Sequence, residues 1–453
     1  MTICRFAPSP TGFLHVGNIR AAIINFLYAK KTGGKFILRL DDTDVERTRD
    51  EYRQMILQDL AWLGLEYSDL YRQSDRLEIY KQAKNKLLDN GRLYECYESD
   101  AELNLQRKAQ IASGIPPIYN RAALNLTSEQ KENYQKQGIK PYYRFLLEDK
   151  IVAWEDKIKG KITYPGRSFS DPVLIRDNNV PTYTFCSVVD DIDLGITDII
   201  RGEDHITNTA VQIQIFEGLN GKVPHFSHLA LVKASDGKIS KREGGFDVKS
   251  LRENGFEPMS IINLLSQIGT SKGINIYDNI EHLIAGFDLK NFSKSSTNYD
   301  LTELNIINEK LLKILPFIIA RKRIEELKIE GVDEFIWKNL QANLNFLADI
   351  KEWVEICKKP FKHNHEQVDQ EFLKLASNCL PEETGKPDSW QSWLSNIKQK
   401  SDRKGKELFM PIRLALTGKE HGPELKNLLM LIDREEILRR LAYTNFHFKN
   451  CKS

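Results

Sequence analysis

Arg5-Phe6-Ala7-Pro8-Ser9-Pro10-Thr11-Gly12-Phe13-Leu14-His15-Val16-Gly17-Asn18 joins a strand to a helix, and how that junction reads decides the fold. Ile3 to Ala7 has the composition of a short strand, and Phe36 to Leu40 supplies another. Between them Ile19, Ala22, Ile23, Phe26 and Leu27 recur at the spacing of one helix face. Lys30 and Lys31 complement the negative end of that helix, and Gly33-Gly34 stops it. Strand, helix and strand in this order predict a doubly wound parallel sheet. Ligands of such sheets bind outside the carboxyl ends of the strands, where Ala7 to Asn18 lies.

His15 and Gly17 therefore fall near a helix N-terminus, whose exposed N–H groups favour phosphate. Gly17 would let a nucleotide base approach the backbone, and His15 would donate to a phosphate oxygen as negative charge builds. A helix-capping loop with an incidental histidine fits the same residues, and a short motif alone does not separate the two readings. Far downstream, the strand-like run His225 to Val232 leads into the turn Ser235-Asp236-Gly237 and then Lys238-Ile239-Ser240-Lys241-Arg242. A loop bearing two ammonium groups suits a departing pyrophosphate; by itself it would read equally as a solvated basic turn.

Taken together, these residues resemble the two signatures of class I aminoacyl-tRNA synthetases, H-x-G-H and K-M-S-K-S. The likeness extends to bacterial glutamyl-tRNA synthetases through Arg5 to Gly12, Asp42-Thr43-Asp44, Pro181-Thr182-Tyr183, Val188-Val189-Asp190-Asp191 and Arg201-Gly202-Glu203-Asp204-His205. Leu408 to Gly418 continues it to the C-terminal end. The resemblance implies an ATP site formed by His15, Gly17, Asn18, Asp204, His205, Lys238, Ser240 and Lys241, with His15, Lys238 and Lys241 acting on the triphosphate. It implies a glutamate pocket formed by Arg5, Ala7, Ser9, Asp41, Tyr183 and Arg201. In that pocket Arg201 would fork onto the side-chain carboxylate and Asp41 would pair with the α-ammonium, where many relatives carry Glu. Asp44 reads as a structural cap for a helix around Arg53 to Leu63.

The implied reaction is attack of the glutamate carboxylate on the α-phosphorus of ATP, followed by transfer of the glutamyl group to the terminal ribose of tRNA-Glu. Neither step needs a protein nucleophile, and Mg²⁺ would bridge the phosphates. Residues 1–236 are expected to form a Rossmann-type catalytic domain, interrupted at 81–183 by an α/β lobe for the tRNA acceptor end. Residues 237–310, starting with the lysine loop, would contact the tRNA stem. Residues 311–453, rich in Leu, Ile, Lys and Glu at helical spacing, would form a helical anticodon-binding region. The expected class is thus α/β plus all-α.

The 453 residues carry a formal net charge of only +2, so overall charge says nothing about RNA. Lys398, Lys400, Arg403, Lys404 and Lys406 form a local basic stretch that suits phosphates or a solvated helix end equally well. Trp337, Trp353, Trp390 and Trp393 suit base stacking or, more commonly, packing. Cys4, Cys96, Cys186, Cys357, Cys379 and Cys451 are scattered, which excludes a disulfide framework. Some relatives bind zinc in the insertion through C-x-C and C-x-H; here the corresponding runs read Cys96-Tyr97-Glu98 and Ala123-Leu124-Asn125, so no zinc is expected. The motif starts too near the N-terminus for a leader peptide, and Ile19 to Ala29 is too short to span a membrane, which predicts a cytoplasmic protein. The resemblance implies a monomer. Charging of tRNA-Gln, alone or in addition, stays open, as does a catalytically silent tRNA-binding paralogue. The paralogue that glutamylates a modified tRNA base lacks an anticodon domain, and small nucleotidyltransferases with H-x-G-H lack the glutamate pocket.

Overall fold

A computed structural model describes residues 1–44, 46–165, 168–234, 247–360, 369–386 and 388–442. Its centre is a five-stranded, wholly parallel sheet. Strands β1 (Ile3–Phe6), β2 (Lys35–Leu40) and β3 (Leu70–Arg72) alternate with helices α1 (Val16–Lys31) and α2 (Asp50–Trp62). Helix α3 (Leu77–Asp89) then leads out of the sheet into an inserted lobe.

In that lobe β4 (Leu93–Cys96), helices α4 (Asp100–Ala112) and α5 (Ser128–Lys136), β5 (Tyr142–Phe145), the hairpin of β6 (Val152–Asp156) and β7 (Gly160–Tyr164), and β8 (Val173–Ile175) follow in turn. Strands β4, β5 and β8 form an antiparallel sheet of their own. The chain returns through α6 (Tyr183–Asp193), β9 (Asp198–Gly202), α7 (Ile206–Gly218) and β10 (His225–Leu229). The resulting strand order, β10-β9-β1-β2-β3, sets β9 directly beside β1 although 194 residues of sequence separate Ile3 from Thr197, whose side chain accepts the Ile3 N–H.

The sequence signals that place α1 act as read. The face formed by Ile19, Ala22, Ile23, Phe26 and Leu27 is buried, and so are Val16, Ile24 and Ala29 on other sides, because the helix is covered by the sheet and by α9 (Pro258–Gln267). Between the sheet and α9 run β11 (Val232–Ala234) and α8 (Val248–Glu253); beyond α9 lie α10 (Ile280–Gly286) and β12 (Thr297–Tyr299), and β12 pairs in parallel with β11. Packing gathers Met1–Asn254 and Pro258–Leu301 into one compact unit.

Asp44 departs from expectation. Its carboxylate accepts from the Arg47 backbone and guanidinium at 3.2 and 2.7 Å, while α2 starts after Arg49, with no side-chain cap. The Arg47 guanidinium, three positions along the chain, captures Asp44, and the helix opens with Asp50 and Glu51 near its positive end instead.

Residues 255–257 and 302–453 form a second unit, in which the described residues contain no strand. Its helices are α11 (Leu301–Ile314), α12 (Phe317–Glu326), α13 (Glu334–Leu340), α14 (Ile350–Lys358), α15 (Gln370–Asn378), α16 (Ser389–Lys400), α17 (Gly405–Thr417), α18 (Leu425–Leu431) and α19 (Arg434–Ala442). Trp337, Trp353 and Trp393 lie in its core, with Trp390 packed against them. Trp337 donates to the Leu315 carbonyl at 3.0 Å and Trp393 to the Ala376 carbonyl at 2.8 Å, so both indoles have their polar edge satisfied inside the protein. In the basic stretch, Arg403 pairs with Asp369 and stacks over Phe372 at 4.4 Å.

Candidate active site

A cleft enclosing about 260 Å³ opens at the carboxyl ends of β1, β9 and β10 and the amino end of α1. Arg5, Ala7, His15, Gly17, Asn18, Tyr183, Arg201, Asp204 and His205 all line it. Ser9 is exposed and Asp41 is buried, and neither forms part of the wall. Lys238, Ser240 and Lys241 lie outside the described residues.

Both readings of His15 prove compatible. It is the N-cap of α1: its Nδ1 accepts from the backbone N–H groups of Gly17 and Asn18 at 3.1 and 3.4 Å. An imidazole nitrogen that accepts must be unprotonated, so the proton of the neutral ring sits on Nε2, the nitrogen that can donate. Capping therefore fixes the tautomer of the neutral ring. A Cβ at position 17 would stand 3.0 Å from His15 Cε1 and 3.1 Å from Nδ1, so a side chain there would crowd the capping ring. The last described residue before the lysine loop is Ala234 in β11. The first after it, Asp247, bridges to His15, and Val248 donates to the Leu14 carbonyl at 3.0 Å. One end of the loop is thus tied to the H-x-G turn.

Arg201 and Arg5 form the deep end. Arg201, on β9, is 6 % exposed, and no carboxylate among the described residues pairs with it. Its Nη2 donates to Thr209 Oγ1 at 2.6 Å and Gln212 Oε1 at 2.7 Å, while Nε and Nη1 make no hydrogen bond. Both two-nitrogen edges of a guanidinium include Nη2. The fork foreseen from the residue type is therefore half committed to the protein, and Nε–H and the Nη1 pair are the donors left for a ligand. Burial pulls the Arg201 pKa down; the Tyr183 phenol favours the charged form and Arg5 opposes it. Two buried guanidinium groups facing one cleft favour an anion between them.

Arg5 is held from behind. Its Nε and Nη2 donate to Asp191 at 3.1 and 3.3 Å, and Asp191 also accepts from Arg39 at 2.8 Å. Arg39 in turn grips Asp41 through Nε at 2.7 Å and Nη2 at 3.2 Å. Burial raises the Asp41 pKa to about 6 despite the Arg39 charge. Asp190 belongs to the same cluster: Gln73, Arg76 and Tyr80 donate to it, and Arg39 Nε lies 3.4 Å away. The Val188-Val189-Asp190-Asp191 run thus anchors Arg5 and, behind it, Arg39 and Arg76. Burial, and then the Arg201 charge, keep the His205 pKa below its usual value.

Sequence reading missed Arg20, Asn25 and Gly202. Arg20 lines the cleft and donates to the carbonyls of Ala230 and Ile268 at 2.8 and 3.0 Å; burial lowers its pKa to about 10. Asn25 donates to the Ile200 carbonyl at 2.9 Å, tying α1 to β9. A Cβ on Gly202 would fall 2.3 Å from Asp204 Oδ1, so the Asp204 turn needs glycine. A polar residue on an otherwise apolar helix face was the available signal for Arg20 and Asn25.

Residues 2–306 match the family model for the catalytic domain of class I tRNA synthetases (E and Q), and residues 309–444 match an anticodon binding domain. Glutamate–tRNA ligase 1 of Rickettsia massiliae is 50 % identical over 441 residues, covering 97 % of this chain and 99 % of that protein. Glutamate–tRNA ligase 2 of Rickettsia canadensis is 49 % identical with the same coverage. Among solved structures, a glutamate tRNA ligase from Elizabethkingia meningosepticum in complex with its amino acid superposes with a TM-score of 0.81 at 26 % identity, covering 97 % of this chain and 98 % of that one.

Proposed function

Because the chain belongs to the class I tRNA synthetases of the glutamate and glutamine branch, we propose that it is a glutamate–tRNA ligase. It activates L-glutamate with ATP and transfers the glutamyl group to the 3′ end of tRNA-Glu. The observation that carries this reading is the pair of buried guanidinium groups, Arg5 and Arg201, at the closed end of a cleft whose other end is a helix N-terminus. The first suits the side-chain carboxylate of glutamate and rejects the neutral amide of glutamine. The second suits phosphate.

In this reading Arg201 and Arg5 hold the side-chain carboxylate, with Tyr183, Ala7 and Ser9 around it. Asp41, oriented by Arg39, takes the α-ammonium; its oxygens accept more than one bond, so the Arg39 pair leaves room for a further donor. His15, Gly17, Asn18, Asp204 and His205 receive the nucleotide, and Lys238, Ser240 and Lys241 complete the triphosphate site. Mg²⁺ supplies charge neutralisation across the phosphates. No cluster of three or more His, Cys, Asp or Glu able to hold a metal occurs among the described residues. The α-carboxylate of glutamate attacks the α-phosphorus, and the leaving pyrophosphate is stabilised by His15 and the lysines.

The lobe at 81–183 is proposed to hold the acceptor end, 237–310 the stem and 311–453 the anticodon, and the chain to work as a cytoplasmic monomer. No helix among the described residues is long and apolar enough to cross a membrane. A zinc-free insertion is supported by its chemistry. The Tyr119 hydroxyl donates to Glu98 at 2.5 Å, accepts from the Ala123 N–H at 3.2 Å and lies 3.8 Å from Cys96 Sγ. Burial, then Glu98, pushes the Cys96 pKa up to about 12, and a single thiol does not make a structural zinc site.

Charging with radiolabelled glutamate on purified tRNA-Glu and tRNA-Gln tests the proposal. Charging of tRNA-Glu is expected. Charging of tRNA-Gln, in addition or alone, would make the enzyme non-discriminating or tRNA-Gln-specific. Charging of neither would favour a silent paralogue. Lys241→Ala should abolish adenylate formation, and surviving activity would refute the loop's role.

A further inference from the structure

Arg201 is the Cα register partner of His228 on the neighbouring parallel strand, so the two side chains leave the sheet on one face, under α7. His228 is fully buried. Its Nδ1 lies 2.6 Å from Asp156 Oδ2 at the end of β6, and its Nε2 lies 2.9 Å from Thr209 Oγ1 on α7. Thr209 Oγ1 in turn accepts from Arg201 Nη2 at 2.6 Å. Asp156 from the inserted hairpin therefore joins β10 and α7 in one unbroken line of polar atoms that ends on the guanidinium on β9.

We infer that Asp156, His228 and Thr209 form a buried positioning chain that aims Arg201 at the substrate's side-chain carboxylate. The inference rests on the glutamate reading of the cleft.

The proton count gives the chain one direction. Asp156 Oδ1 accepts backbone N–H groups from Ile158, Lys159 and His228 at 3.0, 2.9 and 3.2 Å. Burial works against its ionisation, but His228 and these donors outweigh it and hold the carboxyl below its usual range. Burial, and then the Arg201 charge against the Asp156 attraction, keep the His228 pKa below its usual value. A neutral imidazole beside a carboxylate carries its proton on Nδ1, which leaves Nε2 as an acceptor. The Thr209 hydroxyl is the donor within reach, and once its proton points to His228 its lone pairs face Arg201. Were the proton on Nε2 instead, it would compete with Arg201 for the same oxygen, and the hydroxyl proton would turn to the His205 carbonyl 3.1 Å away. The second hydrogen of Nη2 is fixed likewise: Gln212 Nε2 donates to Ser187 Oγ at 2.8 Å, which turns Oε1 toward Arg201. With both Nη2 hydrogens spoken for, the guanidinium cannot swivel.

Asp156→Asn tests this in the full-length enzyme. The amide oxygen still accepts the three backbone bonds, but its NH₂ donates to Nδ1 and moves the imidazole proton to Nε2. Weakening one hydrogen bond to a charged group should raise the KM for glutamate roughly 10- to 100-fold in tRNA charging, with the KM for ATP unchanged. Thr209→Val should do the same and Thr209→Ser should restore wild-type behaviour, which keeps the test alive if Asp156→Asn fails to fold. In ¹⁵N-histidine spectra of the wild type, His228 Nε2 should carry the shift of an unprotonated imidazole nitrogen. A protonated Nε2 there would overturn the chain. So would variants that leave the glutamate KM unaltered, or that depress turnover and both KM values alike, while Arg201→Ala raises the glutamate KM. If Arg201→Ala leaves that KM unchanged, the glutamate pocket itself falls, and the chain falls with it as a determinant of substrate binding.

Discussion

Gly17 shows what a single side chain decides. A methyl group there meets the His15 ring at 3.0 Å, and a ring that gives way lengthens its bonds to the two N–H groups it caps. Gly17→Ala should therefore lower stability by about 1 kcal/mol, the usual worth of an N-cap. It should also reduce ATP-dependent pyrophosphate exchange more than it raises the KM for glutamate. His15→Ala, which deletes the donor itself, should slow adenylate formation on the order of 100-fold, as loss of a preorganised donor to developing charge does. Rapid-quench measurement of adenylate checks both. At this scale Arg5, His15, Gly17 and Arg201 were legible, since each sits in a motif with characteristic neighbours. Thr209, Gln212 and His228 were not: polar residues scattered through a helix and a strand carry no spacing that points to one another.

At the scale of elements, α2 and α8 are joined by Arg252, which donates to Asp59 at 2.7 Å. Burial raises the Asp59 pKa to about 6, against the pull of Arg252. The folded state then binds a proton before the unfolded chain does as pH falls from about 6 toward 3.8, so ionised Asp59 lowers stability at neutral pH and the penalty fades in acid. Removing Arg252 enlarges that penalty. Arg252→Leu should cost roughly 3 kcal/mol near pH 8 and clearly less near pH 5, read from denaturant midpoints at the two pH values. The effect should reach catalysis, because α8 begins where the chain re-enters beside Leu14 and His15 after the lysine loop. The first βαβ unit was readable because hydrophobic period and stop signals are local properties. The Asp44 cap was misjudged because a neighbouring arginine competes for the same carboxylate, and propensity alone does not rank the competitors.

Over the whole molecule, two units each own a hydrophobic core, one built around residues such as Phe185, Phe216 and Phe226 and the other around Trp337, Trp353 and Trp393. Calorimetry should accordingly resolve two transitions. ATP with glutamate should raise only the one belonging to the first unit, by mass action on its folded state. Trp393→Ala should lower only the other, by about 3–5 kcal/mol for a fully buried indole. A single transition moved by both would contradict the division.

The chain's own residues determined a parallel sheet followed by a turn that His15 caps, a helical second half and the residue types at the cleft's two ends, since composition, periodicity and motif are written along the backbone. Tertiary structure alone decided which donors of Arg201 remain for a substrate. That outcome depends on β9 lying between β1 and β10, on Arg201 sharing a register with His228, and on Asp156 arriving from an inserted hairpin. Proximity between residues so far apart in sequence is set by strand order, and strand order follows from how the whole chain buries its apolar faces.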